Sequence, residues 1–300
     1  MRVCAACGSA RTDGAWLCAE CGNRPATIDG VTAFAPTLAS FGAGFREDYF
    51  AELAAIEAGS FWFRARSALI IWAMRRYVPN PRNFLEIGCG TGFVLSGVRA
   101  AFPSAELSGS EVFTAGLAFA AARVPSARFY QMDARDIPFR DEFDAIGAFD
   151  VIEHIEEDEA VIAEVGRALR PGGSFLITVP QHPALWSAQD EHAFHARRYV
   201  ARDLRRKLEA AGFEVLRMTS FVSLLLPALF ASRRRMRGQT ATANSEFDAI
   251  DAVRLPWAVN MVLEAVMTVE RALIRGGVSF PAGGSLLVVA RKRGGAEDSP

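Results

Sequence analysis

Hydrophobic positions along the chain change period near residue 80. From about residue 45 to Val78, in "FREDYFAELAAIEAGSFWFRARSALIIWAMRRYV", apolar side chains recur at helical spacing until Pro79, which predicts helix. From Asn83 onward short apolar runs predict strands at residues 84–87, 105–109, 127–131, 143–149, 174–179, 213–219 and 285–290. Helix-period segments fall between them at 93–101, 115–123, 157–169 and 201–211. Strict alternation of this kind indicates an α/β fold with a doubly wound, Rossmann-like parallel sheet. The rhythm breaks between residues 221 and 281, where no strand pattern precedes the last one. That stretch reads as a helical insertion and a candidate substrate-recognition element.

With 300 residues and 51% hydrophobic content, the chain is long enough for one sizeable core or two domains. A formal charge of −1 provides no global basic field for nucleic acid. The opening "MRVCAACGSA" lacks an apolar stretch of signal-peptide length, so the cytoplasm is the expected location. Residues 221–231 are too short to cross a bilayer, and 255–274 carry Glu264, Glu270 and Arg271.

Four of the five cysteines form a pattern, Cys4-x2-Cys7 and Cys18-x2-Cys21. Two such knuckles can place four thiolates around one zinc ion, and a segment this small needs a staple. A pair of disulfides is the other reading, disfavoured where nothing marks the chain for secretion. Cys89 lies in a glycine loop, where it reads as a small loop residue. The expected organisation is a zinc ribbon over 1–35, a helical lid over 36–82, a ligand-binding core over 83–220, the insertion over 221–282, and the final strand and tail over 283–300.

"FLEIGCGTGFVL" reads as a buried strand, a tight loop and a helix start, with Gly88, Gly90 and Gly92 bringing backbone close to a ligand. A dinucleotide fold would set a pyrophosphate here with G-x-G-x-x-G. The spacing in this chain is G-x-G-x-G, and Glu86 just before it would repel phosphate and favour an ammonium or sulfonium. Glu111 closes the second strand at the distance where an acid reaches the hydroxyls of a ribose, and Asp133 closes the third, where it can accept from an adenine amino group. Taken in order, the three acids describe adenosine with a positive centre and no phosphates. That ligand is S-adenosylmethionine.

"FLEIGCGTG", "GSEVF", "QMDARDIPF", "FDAIGAFDVIEHI" and "RALRPGGSFLITVP" resemble the successive motifs of class I S-adenosylmethionine-dependent methyltransferases. The resemblance covers residues 61–221 and, with the last strand, 285–292. It implies a seven-stranded sheet whose last strand is antiparallel. It also implies a cofactor site lined by Gly88, Cys89, Gly90, Glu111 and Asp133, with Ala134 and Phe149 beside the adenine or methionine; Glu86, Gly92 and Val112 are counted with them. The segment "CGNRPATIDGVTAF" is similar to zinc-ribbon units that accompany some methyltransferases.

Methyl transfer from such a cofactor needs the acceptor positioned and, for a hydroxyl, its proton removed. All four histidines, His154, His182, His192 and His195, follow the fourth and fifth strands. His182 and His192 are expected to line the acceptor pocket, with His154 behind the cofactor. Asp150, Glu153 and His154 could meet on a divalent ion, as in the quinone-biosynthesis O-methyltransferases this motif resembles, although Asp150 stands where those carry Glu; helix capping is the alternative. Arg197 and Arg198 could clamp a carboxylate or phosphate, and Trp62, Phe63 and Arg66 could form a lid. In residues 221–237 an apolar block precedes Arg233, Arg234, Arg235 and Arg237, the pattern of a peripheral membrane contact or of a buried lid helix. The leading expectation is O-methylation of a small-molecule or lipid-linked acceptor. RNA or protein methylation with the ribbon as reader is the alternative, weakened because Arg2, Arg11 and Arg24 are balanced by Asp13, Glu20 and Asp29. A non-catalytic cofactor-binding scaffold is the third reading.

Overall fold

The computed structural model describes residues 1–11, 16–39, 48–237 and 255–294. The N-terminal segment contributes four short strands, β1 (Arg2–Val3), β2 (Ala10–Arg11), β3 (Ala26–Ile28) and β4 (Val31–Ala33). Two helices follow, α1 (Asp48–Ile56) and α2 (Phe61–Tyr77), separated by a break at Gly59. The alternating part then runs β5 (Asn83–Ile87), α3 (Phe93–Ala101), β6 (Glu106–Glu111), α4 (Thr114–Arg123), β7 (Arg128–Gln131), β8 (Phe143–Phe149), α5 (Asp158–Ala168) and β9 (Leu169–Pro180). The chain closes with α6 (Ala188–His192), α7 (Ala201–Ala210), β10 (Phe213–Phe221), α8 (Leu226–Arg237), α9 (Trp257–Arg275) and β11 (Ser285–Lys292). Each strand and helix expected from residue 83 onward is present.

The sheet order is β10-β11-β9-β8-β5-β6-β7-β4-β3. Its first seven members are the expected seven strands, with β11 antiparallel to both β9 and β10. β4 then adds parallel to β7 and carries β3 with it. Residues 26–33, assigned from sequence to the ribbon segment, are thus an extension of the main sheet. Gln131 fixes the join: its amide nitrogen donates to Ala35 O at 2.8 Å and Val112 O at 3.0 Å, while Ala35 N–H donates to its oxygen at 3.1 Å. The signal was weak because strands of three residues carry no legible alternation.

Both faces of the sheet are covered, which is why its central strands read as continuous apolar runs. Leu85 and Ile87 of β5 pack on the side of α5 and α7, with Val161, Ile162, Leu204 and Leu208. Phe84 packs on the opposite side with Leu69, Ile70 and Met74 of α2 and Val94 and Leu95 of α3. Glu86 shares that second face, since side chains alternate along a strand. β5 and β8 are neighbours at the point where the chain order reverses. At such a switch point the loops after the strands diverge and leave a crevice for a ligand.

The four cysteines sit at one end of the β1–β2 hairpin. Sγ atoms of Cys4 and Cys21 are 3.7 Å apart and those of Cys7 and Cys18 are 3.6 Å apart, far beyond the roughly 2.05 Å of a disulfide. The ribbon docks on the loop before β8, where Val3 N–H donates to Pro138 O at 3.0 Å and Arg140 N–H to Met1 O at 2.9 Å. Trp16 packs edge-on against Phe34 and Phe139, with the Arg2 guanidinium 4.2 Å from its ring centroid.

Candidate functional site

A cleft of about 1910 Å³ opens at the carboxyl ends of β5, β6, β7 and β8. Typical small-molecule pockets reach roughly 1,000 Å³, so this one has room for a nucleoside-sized ligand and a second molecule. Glu86, Gly88, Cys89, Gly90, Glu111, Val112, Asp133, Ala134 and Phe149 all line it. Gly92 does not; at φ +75° it caps α3, a Cβ there would lie 3.0 Å from Ala120 Cα, and its role is to turn the chain. The cysteines of the ribbon are also absent from this wall.

Gly88, Gly90 and Gly92 all have positive φ, at 64°, 50° and 75°, a region that side chains rarely adopt. Gly88 has a second reason to be glycine, because a Cβ there would lie 2.4 Å from Val151 Cγ2. At Gly90 an added Cβ meets nothing nearer than 4.0 Å, so the loop leaves open space for a ligand to approach its backbone. Glu111 braces the loop from the next strand: its carboxylate accepts from Gly90 N–H at 3.1 Å and Val112 N–H at 2.8 Å. Burial raises its pKa, and these backbone donors oppose the rise.

Glu86 is 3% exposed, and one of its carboxyl oxygens has no hydrogen-bond partner. Burial pushes its pKa up to about 8, against the attraction of Arg66. An orphaned acid beside a glycine loop fits a cationic ligand, which would favour its charged form. Between about pH 4.5 and pH 8 the folded chain holds a proton there that the unfolded chain has released, so folding loses stability as pH rises through that window. Glu86→Gln is therefore expected to flatten the fall in melting temperature between pH 6 and pH 9. An unchanged slope in the variant would show that Glu86 does not carry it.

Asp133 is tied to Arg135, whose Nη2 donates at 2.8 Å, and although burial opposes, those bonds hold its pKa below the ordinary value. The turn also takes the Arg135 N–H at 2.9 Å, so part of this carboxylate serves local structure.

The histidines divide. His154, His192 and His195 line the cleft, whereas His182 does not. His182 stands at φ 63° in the turn after β9, where its N–H donates to Tyr199 O at 3.0 Å, and its Nε2 is buried without a partner. This corrects its placement in the acceptor pocket: it sits in a turn with a left-handed φ, invisible to pattern reading, and is not among the residues that line the cleft. His192 Nδ1 lies 2.6 Å from Ala188 O. Burial, then the neighbouring His195, lower His154 to about 4, leaving it neutral and a weaker base than free imidazole.

The set Asp150, Glu153 and His154 is also rearranged. Asp150 is ion-paired with Arg66. The donor atoms near Glu153 and His154 come from His195, all within 4.8 Å of one another, and the two rings meet edge to face at 4.8 Å. Glu153 is fully buried with both oxygens unpartnered, and burial together with Asp150 raises its pKa well above the ordinary range.

Arg66, Trp62 and Phe63 do line the cleft, as the lid reading expects. Tyr49, Phe50 and Glu57 from α1 and its following turn join them, as do Leu225, Leu229 and Arg233 from the insertion. The insertion is expected there from the sequence, whereas Tyr49, Phe50 and Glu57 carry no signal because their spacing is that of any packed helix.

Residues 85–177 match the family model described as a methyltransferase domain. Over these residues the chain is similar to a methyltransferase domain. Among relatives, a protein of Mycolicibacterium smegmatis that carries the name of an S-adenosylmethionine-dependent methyltransferase is 30% identical over 159 residues, covering 52% of this chain and 60% of that one. A fatty-acid O-methyltransferase of the same species is 35% identical over 100 residues, covering 32% and 36%. The matched region therefore spans about half or less of this chain and under two thirds of either relative. The solved structure of phosphoethanolamine N-methyltransferase 2 of Haemonchus contortus with S-adenosylmethionine superposes with a TM-score of 0.52 at 19% identity, over 75% of this chain and 52% of that one. The likeness is one of fold.

Proposed function

We propose that the chain is an S-adenosylmethionine-dependent methyltransferase that acts on oxygen of a small-molecule or lipid-linked acceptor. The observation that carries this reading is the methyltransferase domain's glycine loop braced by Glu111 beside the orphaned Glu86, in a cleft large enough for two ligands. The residues fit the group: Gly88 and Gly90 offer close backbone, Glu111 and Asp133 sit at the strand ends, and Glu86 is suited to a positive centre. When bound, S-adenosylmethionine supplies an activated methyl group. This chain's own residues orient the acceptor and shield it from water, with Trp62, Phe63, Leu225 and Leu229 among those lining the cleft. Similarity to a fatty-acid O-methyltransferase supports an acceptor with an apolar body.

Purified protein incubated with methyl-labelled S-adenosylmethionine and a lysate is expected to place label in the organic phase. Label confined to the RNA or protein fraction would overturn the acceptor class, and no transfer to any fraction would favour the scaffold reading.

The ribbon is read as a structural zinc site. A tetrahedral zinc with thiolates at about 2.3 Å separates its sulfurs by about 3.8 Å, close to the 3.6 and 3.7 Å between paired Sγ atoms. Backbone donors of Cys7 and Ala6 lower Cys4 to about 6, and Cys18 also shifts down. Against the backbone donors of Ser9 and Asn23, hydrogen bonds shared among the sulfurs raise Cys7 and Cys21, so the sulfur spacing carries this reading. Elemental analysis is expected to find about one zinc per chain, absent from Cys18→Ser; zinc-free wild type sinks the assignment.

A membrane role for residues 221–237 finds less support. Arg233 turns into the cleft, and the side chains of Arg234, Arg235 and Arg237 lie outside the described residues. Among the described residues no helix is long and apolar enough to cross a membrane.

A further inference from the structure

The run into α8 lays Leu225, Ala228, Leu229, Ser232 and Arg233 along the cleft wall. This is one face of a helix, at spacings i, i+3, i+4, i+7 and i+8. Its apolar part ends in a cation. Arg233 Nη1 donates to Ser187 Oγ and, at 3.2 Å, to Asp190 Oδ2. From the other side Arg198 Nε donates to Asp190 Oδ1 at 2.7 Å, and its Nη1 to Gln181 O at 3.0 Å. His195 Nδ1 lies 3.0 Å from the same Oδ1.

Two guanidiniums thus share one carboxylate. The side chains are 4% exposed for Arg198, 11% for Arg233 and 1% for Asp190, so solvent screens them little. The other acids nearby do not supply the missing charge. Asp150 is engaged with Arg66, and the ion pairs described for Arg198 and Arg233 both end on Asp190. Burial, then the repulsion from Arg198, pulls Arg233 down to about 10 despite Asp190. A cation that is buried and only half matched is costly until an anion meets it.

We propose that Arg198 and Arg233 form an oxyanion subsite that holds the carboxylate or phosphate head of an amphipathic acceptor, with its apolar body along Leu225, Ala228 and Leu229. The assignment rests on reading this cleft as the methyl acceptor's site. Asp190 keeps the two guanidiniums apart and aimed, with Ser187 and Gln181 as secondary supports. Planar guanidiniums suit such a head group because each can give two parallel hydrogen bonds to a carboxylate or phosphate.

Decanoate, decyl phosphate and decanol, titrated calorimetrically into the full chain with and without S-adenosylhomocysteine, test this. At least one anion is expected to bind about tenfold or more tightly than decanol, and the better of the two identifies the head group. Arg233→Gln should erase that preference, Arg233→Lys should restore part of it, and S-adenosylhomocysteine affinity should stay within about twofold in both. Equal affinity for all three probes, no binding of any, or an unchanged preference in Arg233→Gln overturns the subsite. The head-group comparison on wild type needs no variant, so it decides the matter even if a variant misfolds. Absence of S-adenosylhomocysteine binding would instead strike the cofactor reading, while the preference among the three probes still judges the subsite.

Discussion

Glu270→Ala should unfold more of the protein than any other single change in the insertion. Glu270 is fully buried on α9, and its carboxylate accepts from Val222 N–H at 2.6 Å, Ser223 N–H at 2.7 Å and Leu224 N–H at 2.8 Å. Burial raises its pKa, and the three donors work against that rise. Removing the acceptor strands three backbone donors, each costing about 1–3 kcal/mol when left unsatisfied in the interior. The total, on the order of 3–6 kcal/mol once water repairs some of the loss, rivals the 5–15 kcal/mol by which domains are stable. The same turn launches α8, which carries Leu229 and Arg233 to the cleft, so binding of an acceptor should fail with stability. Chemical denaturation of Glu270→Ala and Glu270→Gln checks this. A midpoint for the alanine variant equal to wild type would mean that the turn does not depend on this carboxylate.

Gly88→Ala is expected to weaken binding of S-adenosylmethionine by about a hundredfold or more, equivalent to roughly 2.7 kcal/mol. Two costs combine. A left-handed φ of 64° costs an L residue about 1–2 kcal/mol, and the new Cβ would stand 2.4 Å from Val151 Cγ2, which forces the loop or β8's exit to move. Gly90→Ala separates the two costs, since its φ of 50° carries the same backbone strain but its Cβ meets nothing nearer than Phe50 Cε1 at 4.0 Å. It should lose only the strain part of its stability, yet lose ligand affinity if the ligand lies against that backbone. Calorimetric titration with thermal melts separates the two. A Gly88→Ala protein that binds normally would remove the loop from the cofactor site.

Much of this was legible in the chain because its signals are local. Phe84, Leu85 and Ile87 announce a strand buried on both faces. Gly88 and Gly90 announce a left-handed turn, and Glu111 and Asp133 fall at strand ends simply by counting. Their order along the chain maps directly onto positions along one edge of the sheet, because in an α/β fold successive strands deliver their ends to the same side. The four cysteines are legible for a similar reason, as spacing within a knuckle is set by a few bonds.

Other features depended on partners distant in sequence. Asp150 reads as a metal ligand until Arg66, 84 positions away, is seen to claim it. Glu270 reads only as a charge unfit for a membrane span, until 222–224 are seen to need its oxygens. Arg233 reads as one of a basic run at the end of a membrane-contacting or lid helix, until α8 is laid against Ser187 and Asp190 on a different element. His182 reads as a pocket residue because it follows a strand at the ligand face, but it sits in the turn at a left-handed φ and stays off the cleft wall.

The sequence by itself determined the α/β scaffold, the glycine loop, the two strand-end acids and the thiolate set, since each is fixed by periodicity or by spacing along a few residues. Only the tertiary structure decided which charges are spent on the fold and which remain facing the cleft. Burial and pairing set the state of an ionisable group, and both are made by residues that approach only when the chain has folded.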